Sequence, residues 1–496
     1  MLDRQYLYED GEKPPALFTA RVRTGLVGLF FLIVFVRRQP SSISISISSA
    51  SEIMLQSPSP VRIPLRGLAR TPPRQYSKWR CVGNLEDINE FKYRTCLFED
   101  VCYDTISSDF FFFAPSGNRS VPFIFDHQRG EQRKFRHRRA GGDEDDVDFV
   151  ALSKQTKYRA KSSLTWSPLV SHEPVPRYES TTVMLDGLHA LTAPFVPTNL
   201  GHVAWDEAFP LLVAMAQLGE YSPTLRILRT HGCETLTESR SSRELCAKFQ
   251  AAFLAPLLGE RTAHIETLAQ LAAAHRLPLH AQRPMPSRRM LCFQKLLVGG
   301  AFDAFNDDRL NLGKEPLLAL YRARVLAWHG VPYNLSPRSH TILLVDKAGK
   351  RSIHNFRQVQ RHVTERFGGM AKVEVTSYAG LTMAQQLSLV ARTTVAVSPC
   401  GGISMILPFL PEGAHAILLN YMLGPRDFRR HGECAGCSWA MEAELWRHVR
   451  HVKKVYYQVW GEGDFARGRP GRDSAVKVDV ARLEGLVAAS LADMQP

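Results

Sequence analysis

The sequence contains no long apolar run, no Gly-x-Gly-x-x-Gly fingerprint behind a strand, no second Cys-x-x-Cys and no internal repeat. Without the fingerprint, a Rossmann oxidoreductase gripping a dinucleotide is disfavoured. One Cys434-Ala435-Gly436-Cys437 with no second pair is too little for a zinc site and fits a small disulfide loop or free thiols. The basic run Arg129, Arg133, Lys134, Arg136, Arg138, Arg139 has no interleaved aromatics, which argues against single-strand nucleic-acid binding. Gly25–Val36, the apolar segment flanked by Arg21, Arg23, Arg37 and Arg38, is twelve residues long. A comfortable bilayer span takes roughly 20. The segment therefore reads as the core of a signal anchor borrowing its flanks, or as a cleaved signal.

What is present is the composition of a folded protein. Of 496 residues, 45% are hydrophobic, enough for two or three domains and too many for a wholly disordered chain. The formal net charge of +14 suits an anionic partner, either a membrane surface or a nucleotide-bearing substrate. The division expected along the chain is a tail (1–24), the anchor (25–36), a Ser/Pro/Ile-rich flexible stem (37–78), a first lobe (79–324) and a second lobe (325–496). Opposed charge blocks on either side of Gly141-Gly142 mark a disordered insertion near 127–162. Among the nine cysteines, Cys96 and Cys102 are close enough to bridge, and Cys81 suits a more distant partner. Asn118-Arg119-Ser120 and Asn334-Leu335-Ser336 fit the N-glycosylation pattern, with Pro337 against use of the second.

The second lobe alternates cleanly. Residues 341–345 read as a strand, 356–367 as an amphipathic helix, 372–375 as a strand and 383–391 as a helix. From 394 to 420 a short apolar run, a Pro399-Cys400-Gly401-Gly402 turn, a helix from about Ile403 and a second apolar run follow. Units of this length predict a parallel sheet covered on both faces, with ligands beyond the carboxyl ends of its strands. Gly401 and Gly402 permit close backbone approach, and the first helical amides with the Ser404 hydroxyl suit a diphosphate. Taken alone, such a turn also fits a tight crossover that only packs. Arg351, past the 341–345 strand, is the preferred cation for the diphosphate, with Lys347 and Lys350 read as a basic surface loop. Gln385 reads as a cap or packing residue.

In the first lobe, Asn199-Leu-Gly-His202-Val-Ala-Trp205-Asp206-Glu207-Ala-Phe209 opens a helix at Asn199. His202 and Asp206 then share one face, as a base and its orienter, while Trp205 and Phe209 anchor another. The competing reading is a surface histidine beside a solvated acidic edge. His-x-x-x-Asp is also metal spacing, but no third ligand is evident. Residues 244–258 read as core-facing helix.

Taken in order, Asn199-x-x-His202-x-x-x-Asp206-Glu207, Arg351-x-Ile353-x-Asn355, Leu381-Thr-Met-Ala-Gln385-Gln386 and the glycine turn leading to Leu-Pro-Glu-Gly resemble the family 61 glycosyltransferases, over roughly Trp79 to Leu423. The resemblance implies a GT-B-like α/β fold of two Rossmann-like lobes with a cleft between them. It implies inverting, metal-independent transfer from a nucleotide-sugar donor, a UDP-sugar, to a glycan or glycoprotein. It further implies a single-pass type II protein of the Golgi or ER membrane with a lumenal catalytic region. On this resemblance His202, Asp206 and Glu207 are catalytic, Asn199 is acceptor-side, and Arg351, Asn355, Cys400, Gly401, Gly402 and Ser404 bind the donor. Where the family usually has His-Gly-Ala-Gly-Leu-Thr-Asn, this chain has Cys400-Gly401-Gly402-Ile403-Ser404-Met405-Ile406, and Asn420 lies where an acidic residue often ends the next strand. That departure keeps a second class in view, a catalytically silent nucleotide- or glycan-binding protein of the same fold.

Overall fold

The computed structural model describes residues 75–82, 95–116, 122–123, 148–149, 168–177, 181–192, 194, 196–220, 222, 225–236, 239–258, 265–275, 289–299, 312–333, 339–419, 443–457, 459, 462–466 and 474–494. Tail, anchor, most of the stem, both sequons and Cys434/Cys437 lie outside these residues. Of the expected insertion near 127–162, only the backbone of 148–149 is described.

The protein is α/β. An eight-stranded mixed sheet comprises β1 (Lys78–Val82), β2 (Thr95–Asp104), β3 (Phe110–Phe113), β6 (Leu169–Ser171), β7 (Thr182–Thr192), β8 (Arg226–Arg229), β9 (Ile265–Thr267) and β10 (Met290–Val298). The order is β6-β3-β2-β10-β7-β8-β9, with β1 antiparallel on β2. From β10 through β7 and β8 to β9 the pairing is parallel. A small parallel pair joins β4 (Pro122–Phe123) to β5 (Asp148–Phe149).

The second sheet is five-stranded and parallel, built from β11 (Thr341–Val345), β12 (Lys372–Thr376), β13 (Val395–Pro399), β14 (His415–Leu419) and β15 (Lys453–Tyr457) in the order β12-β11-β13-β14-β15. The helices at Phe356–Phe367 and Met383–Ala391 fall where the sequence pattern places them. The order reverses between β11 and β13, so the crevice at their carboxyl ends is a topological switch point.

Strand alternation explains why the inner strands β11, β13 and β14 are buried throughout, while the edge strands β12 and β15 carry lysines. In β11, Leu343 and Val345 face one core and Ile342 and Leu344 the other. The core beneath Leu343 also holds Leu97, Leu188, Ile227 and Leu297 of the first sheet, so the two sheets share buried apolar residues. Both lie within one compact unit, Pro72–Pro496. The expected Cys96–Cys102 bridge is corrected. Cys81 pairs with Cys96 across β1 and β2, Cys102 with Cys292 across β2 and β10, and Cys233 with Cys246. Cys96 and Cys102 lie on the same strand, six residues apart in extended chain, too far for a disulfide to reach.

Candidate functional site

Two loops meet at the switch point. The first leaves β11 and runs to Asn355; the second is the glycine turn after β13. Gly401 has φ +112 and ψ −170, a conformation open to glycine and strained for other residues. A Cβ there would lie 3.2 Å from both the Arg351 guanidinium carbon and the Lys347 ammonium. Lys347 Nζ also donates to the Cys400 carbonyl at 3.3 Å. Arg351 holds a left-handed φ of 57, rare for a long side chain. Two cations therefore converge on one bare stretch of backbone.

Lys347 is the site residue that sequence reasoning misses. It lies two residues past Val345, the last of β11, and reads like Lys350, yet it reaches the turn whereas Lys350 is exposed. Asn355 does not line the turn as a donor ligand. Its amide exchanges hydrogen bonds of 2.8 Å with both backbone groups of Val478, and also donates to Gln358. With His354 N donating to Val476 O and Val476 N to Ser352 O, this anchors the loop that carries Arg351. Gln385 forms a capping box with Thr382, as its position suggests.

The helix expected from Ile403 is a 3-10 helix, Gly402–Phe409. Ser404 is fully buried, and both its amide and its hydroxyl donate to the Gly401 carbonyl, at 2.9 and 2.7 Å. The expected hydroxyl contact to an anion is thus corrected: Ser404 shapes the turn. The far end of this helix is held by cationic and imidazole donors. Arg322 donates to Leu410 O at 2.8 Å, and His451 Nε2 lies 3.0 Å from Pro408 O.

The first-lobe motif comes to the same turn. Asn199 caps the helical stretch that begins at Leu200, its side-chain oxygen accepting from Gly201 N at 2.9 Å. Its amide lies against Gly402, where a Cβ would come within 2.5 Å of that oxygen, so Asn199 is a strut at the turn. From His202 to Ala208 the helix is π-wound, a form that is rare and often found at functional sites, before it becomes α-helical over Phe209–Leu218. Trp205 is fully buried against Phe209, Tyr321 and Phe409, and its indole donates to Met405 O at 2.9 Å. That bond ties the His202 helix to the helix beginning in the glycine turn.

His202 Nδ1 lies 2.6 Å from Asp206 Oδ2, and the imidazole is 14% exposed while the Asp206 side chain is fully covered. A reacting group can reach the ring but not the carboxylate. Glu207 faces elsewhere: Arg229 grips it through two bonds, at 3.0 and 2.9 Å, and Thr192 adds a third. Its expected place among the catalytic residues is therefore corrected to a buried structural ion pair. Among the described residues no three metal-ligating side chains gather. Cys400 carries a buried thiol outside the three disulfides. Compared with known proteins, the sequence matches no family model and no curated protein.

Proposed function

We propose that the chain is an inverting glycosyltransferase of GT-B plan, with lobes at 79–324 and 325–496, that moves a sugar from a nucleotide-diphosphate donor to a hydroxyl of a glycan or glycoprotein. The observation that carries this reading is the meeting of a His–Asp pair with a two-cation glycine turn, joined through Asn199 on Gly402 and Trp205 on Met405. Transfer in one displacement makes the donor diphosphate a leaving group and requires the acceptor hydroxyl to lose a proton. Lys347, Arg351 and the amides opening the 3-10 helix supply positive charge for the first. His202 accepts the proton through Nε2, and Asp206 on Nδ1 orients the ring and stabilises its charged form. The donor as a UDP-sugar and the kinship with family 61 rest on the sequence resemblance. So does a type II arrangement in the Golgi or ER with residues 25–36 as anchor. Among the described residues no helix is long and apolar enough to cross a membrane.

The test is a thermal-shift panel of UDP, GDP, CMP and their sugars on the full-length protein, followed by transfer assays with the ligands that stabilise it. A donor that binds the folded state raises Tm by mass action. No shift from any nucleotide would sink the reading. The second reading, a silent nucleotide- or glycan-binding protein, is favoured by one feature. The family's histidine position holds Cys400, which is buried and whose carbonyl is taken by Lys347. Binding without turnover across donors and acceptors would select it.

A further inference from the structure

Beneath the His202 helix lies a buried polar assembly that the proposed chemistry does not use. Asp206 and Glu207 are consecutive and each about 5% exposed, yet only Asp206 faces His202. Arg229, the last residue of β8, is 1% exposed. Its Nε and Nη2 hold the two Glu207 oxygens, while Nη1 donates to Gln250 Oε1 at 2.9 Å and lies 3.6 Å from each sulfur of the Cys233–Cys246 disulfide. Gln250 opens the second π-wound segment, Gln250–Leu254. Both π segments among the described residues thus give Arg229 a side chain.

We propose that Arg229 is a positioning residue for His202: it fixes the wide turn that presents the imidazole and neutralises Glu207, so that of the two adjacent carboxylates it is Asp206 that acts on the ring. The physical ground is that an arginine stays charged at any working pH, and a bidentate grip fixes a carboxylate in orientation as well as in charge. With Glu207 unpaired, a second carboxylate one residue from Asp206 would attract a proton to this neighbourhood. With Arg229 unpaired, a bare cation would repel one. The titratable and charged groups concerned are Asp206 and Glu207 on the same helix, Arg229 below, the Tyr321 hydroxyl, which burial first and Glu207 second keep protonated, and Lys347 and Arg351 at the turn. The catalytic meaning of the role rests on the glycosyl-transfer reading, but the electrostatic role does not.

The experiment measures the rate of His202 carbethoxylation by diethyl pyrocarbonate against pH in the full chain, read by peptide mass spectrometry. It requires no substrate. Arg229→Met is expected to raise the His202 midpoint, Glu207→Gln to lower it, and the double variant to return it near the parent value. Unchanged midpoints in both single variants, whatever happens to Tm, would overturn the proposal and leave Arg229 a purely structural residue. Should Arg229→Met not fold, Glu207→Gln and the double variant decide alone: an unmoved midpoint in Glu207→Gln overturns it, and a lowered midpoint restored in the double supports it. If the midpoints move as expected but no nucleotide sugar raises Tm, the glycosyl-transfer reading fails and the role of Arg229 stands. If transfer is measured but the midpoints stay fixed, the role of Arg229 fails and the glycosyl-transfer reading stands.

Discussion

The imidazole of His202 reaches solvent and the carboxylate of Asp206 does not, which divides two roles that the sequence leaves interchangeable. His202→Ala is expected to lower transfer by about a hundredfold to ten-thousandfold while the donor-induced rise in Tm persists. Asp206→Asn should do the same through a misoriented ring. Loss of the Tm shift with chemistry intact at saturation would reverse the assignment. At Gly401 the constraint is steric. A side chain at φ +112 costs about 1–3 kcal/mol in backbone strain and would press on Arg351 and Lys347. Gly401→Ala should therefore abolish the nucleotide-induced Tm shift, read on the same panel, and leave His202 in place. The residue types of the site are legible in order and spacing. Lys347 is not, because two lysines on one loop differ only in what the fold sets opposite them.

At the scale of elements, β11, β13 and β14 follow their pattern closely, since each is buried throughout, and period and burial then agree; the edge strands β12 and β15 instead expose Val375 and Tyr456. The Thr382–Gln385 cap is readable in the same way. Thr382→Ala should cost about 1 kcal/mol, measured by urea unfolding, because the Gln385 amide loses its acceptor, the Thr382 hydroxyl oxygen. The windings are not readable. Nothing in the composition of His202–Ala208 distinguishes a π turn from an α turn, and nothing in Gly402–Phe409 announces 3-10 winding except Pro408 within it. Both depend on tertiary partners and turn contacts: Glu207 is drawn to Arg229, and Ser404 back to Gly401. The Cys102–Cys292 bridge closes a loop of 190 residues between β2 and β10, and Cys102→Ser with Cys292→Ser should cost about 2–5 kcal/mol in the same assay.

Across the whole molecule, burial sets a pH dependence. Desolvation pushes His189 down to about 4, helped by the charge of Arg226, and does the same to His451, helped by Arg322. Both are bases whose folded pKa lies below the unfolded value of 6.5. Their contribution to stability is complete above pH 6.5 and declines as pH falls from there toward 4, because only the unfolded chain takes up the protons. Each is worth roughly 2–3 kcal/mol over that window. The urea midpoint should fall between pH 7 and pH 5, and His189→Asn should flatten the slope. A midpoint that is level or rising over this range would contradict burial as the cause.

Local sequence did not show β15, but it was enough for the α/β class and, to within two residues, for the strands that became β11, β12 and β13 and the apolar run that became β14. These follow from periodicity, turn chemistry and spacing, which act over a few residues. Long-range packing was needed to settle which of two adjacent carboxylates serves the histidine, which of two lysines reaches Gly401, that Asn355 and Ser404 hold backbone, and which cysteines pair. Each of those outcomes is a competition for one partner among groups that the chain alone does not rank, and the folded arrangement sets which group arrives.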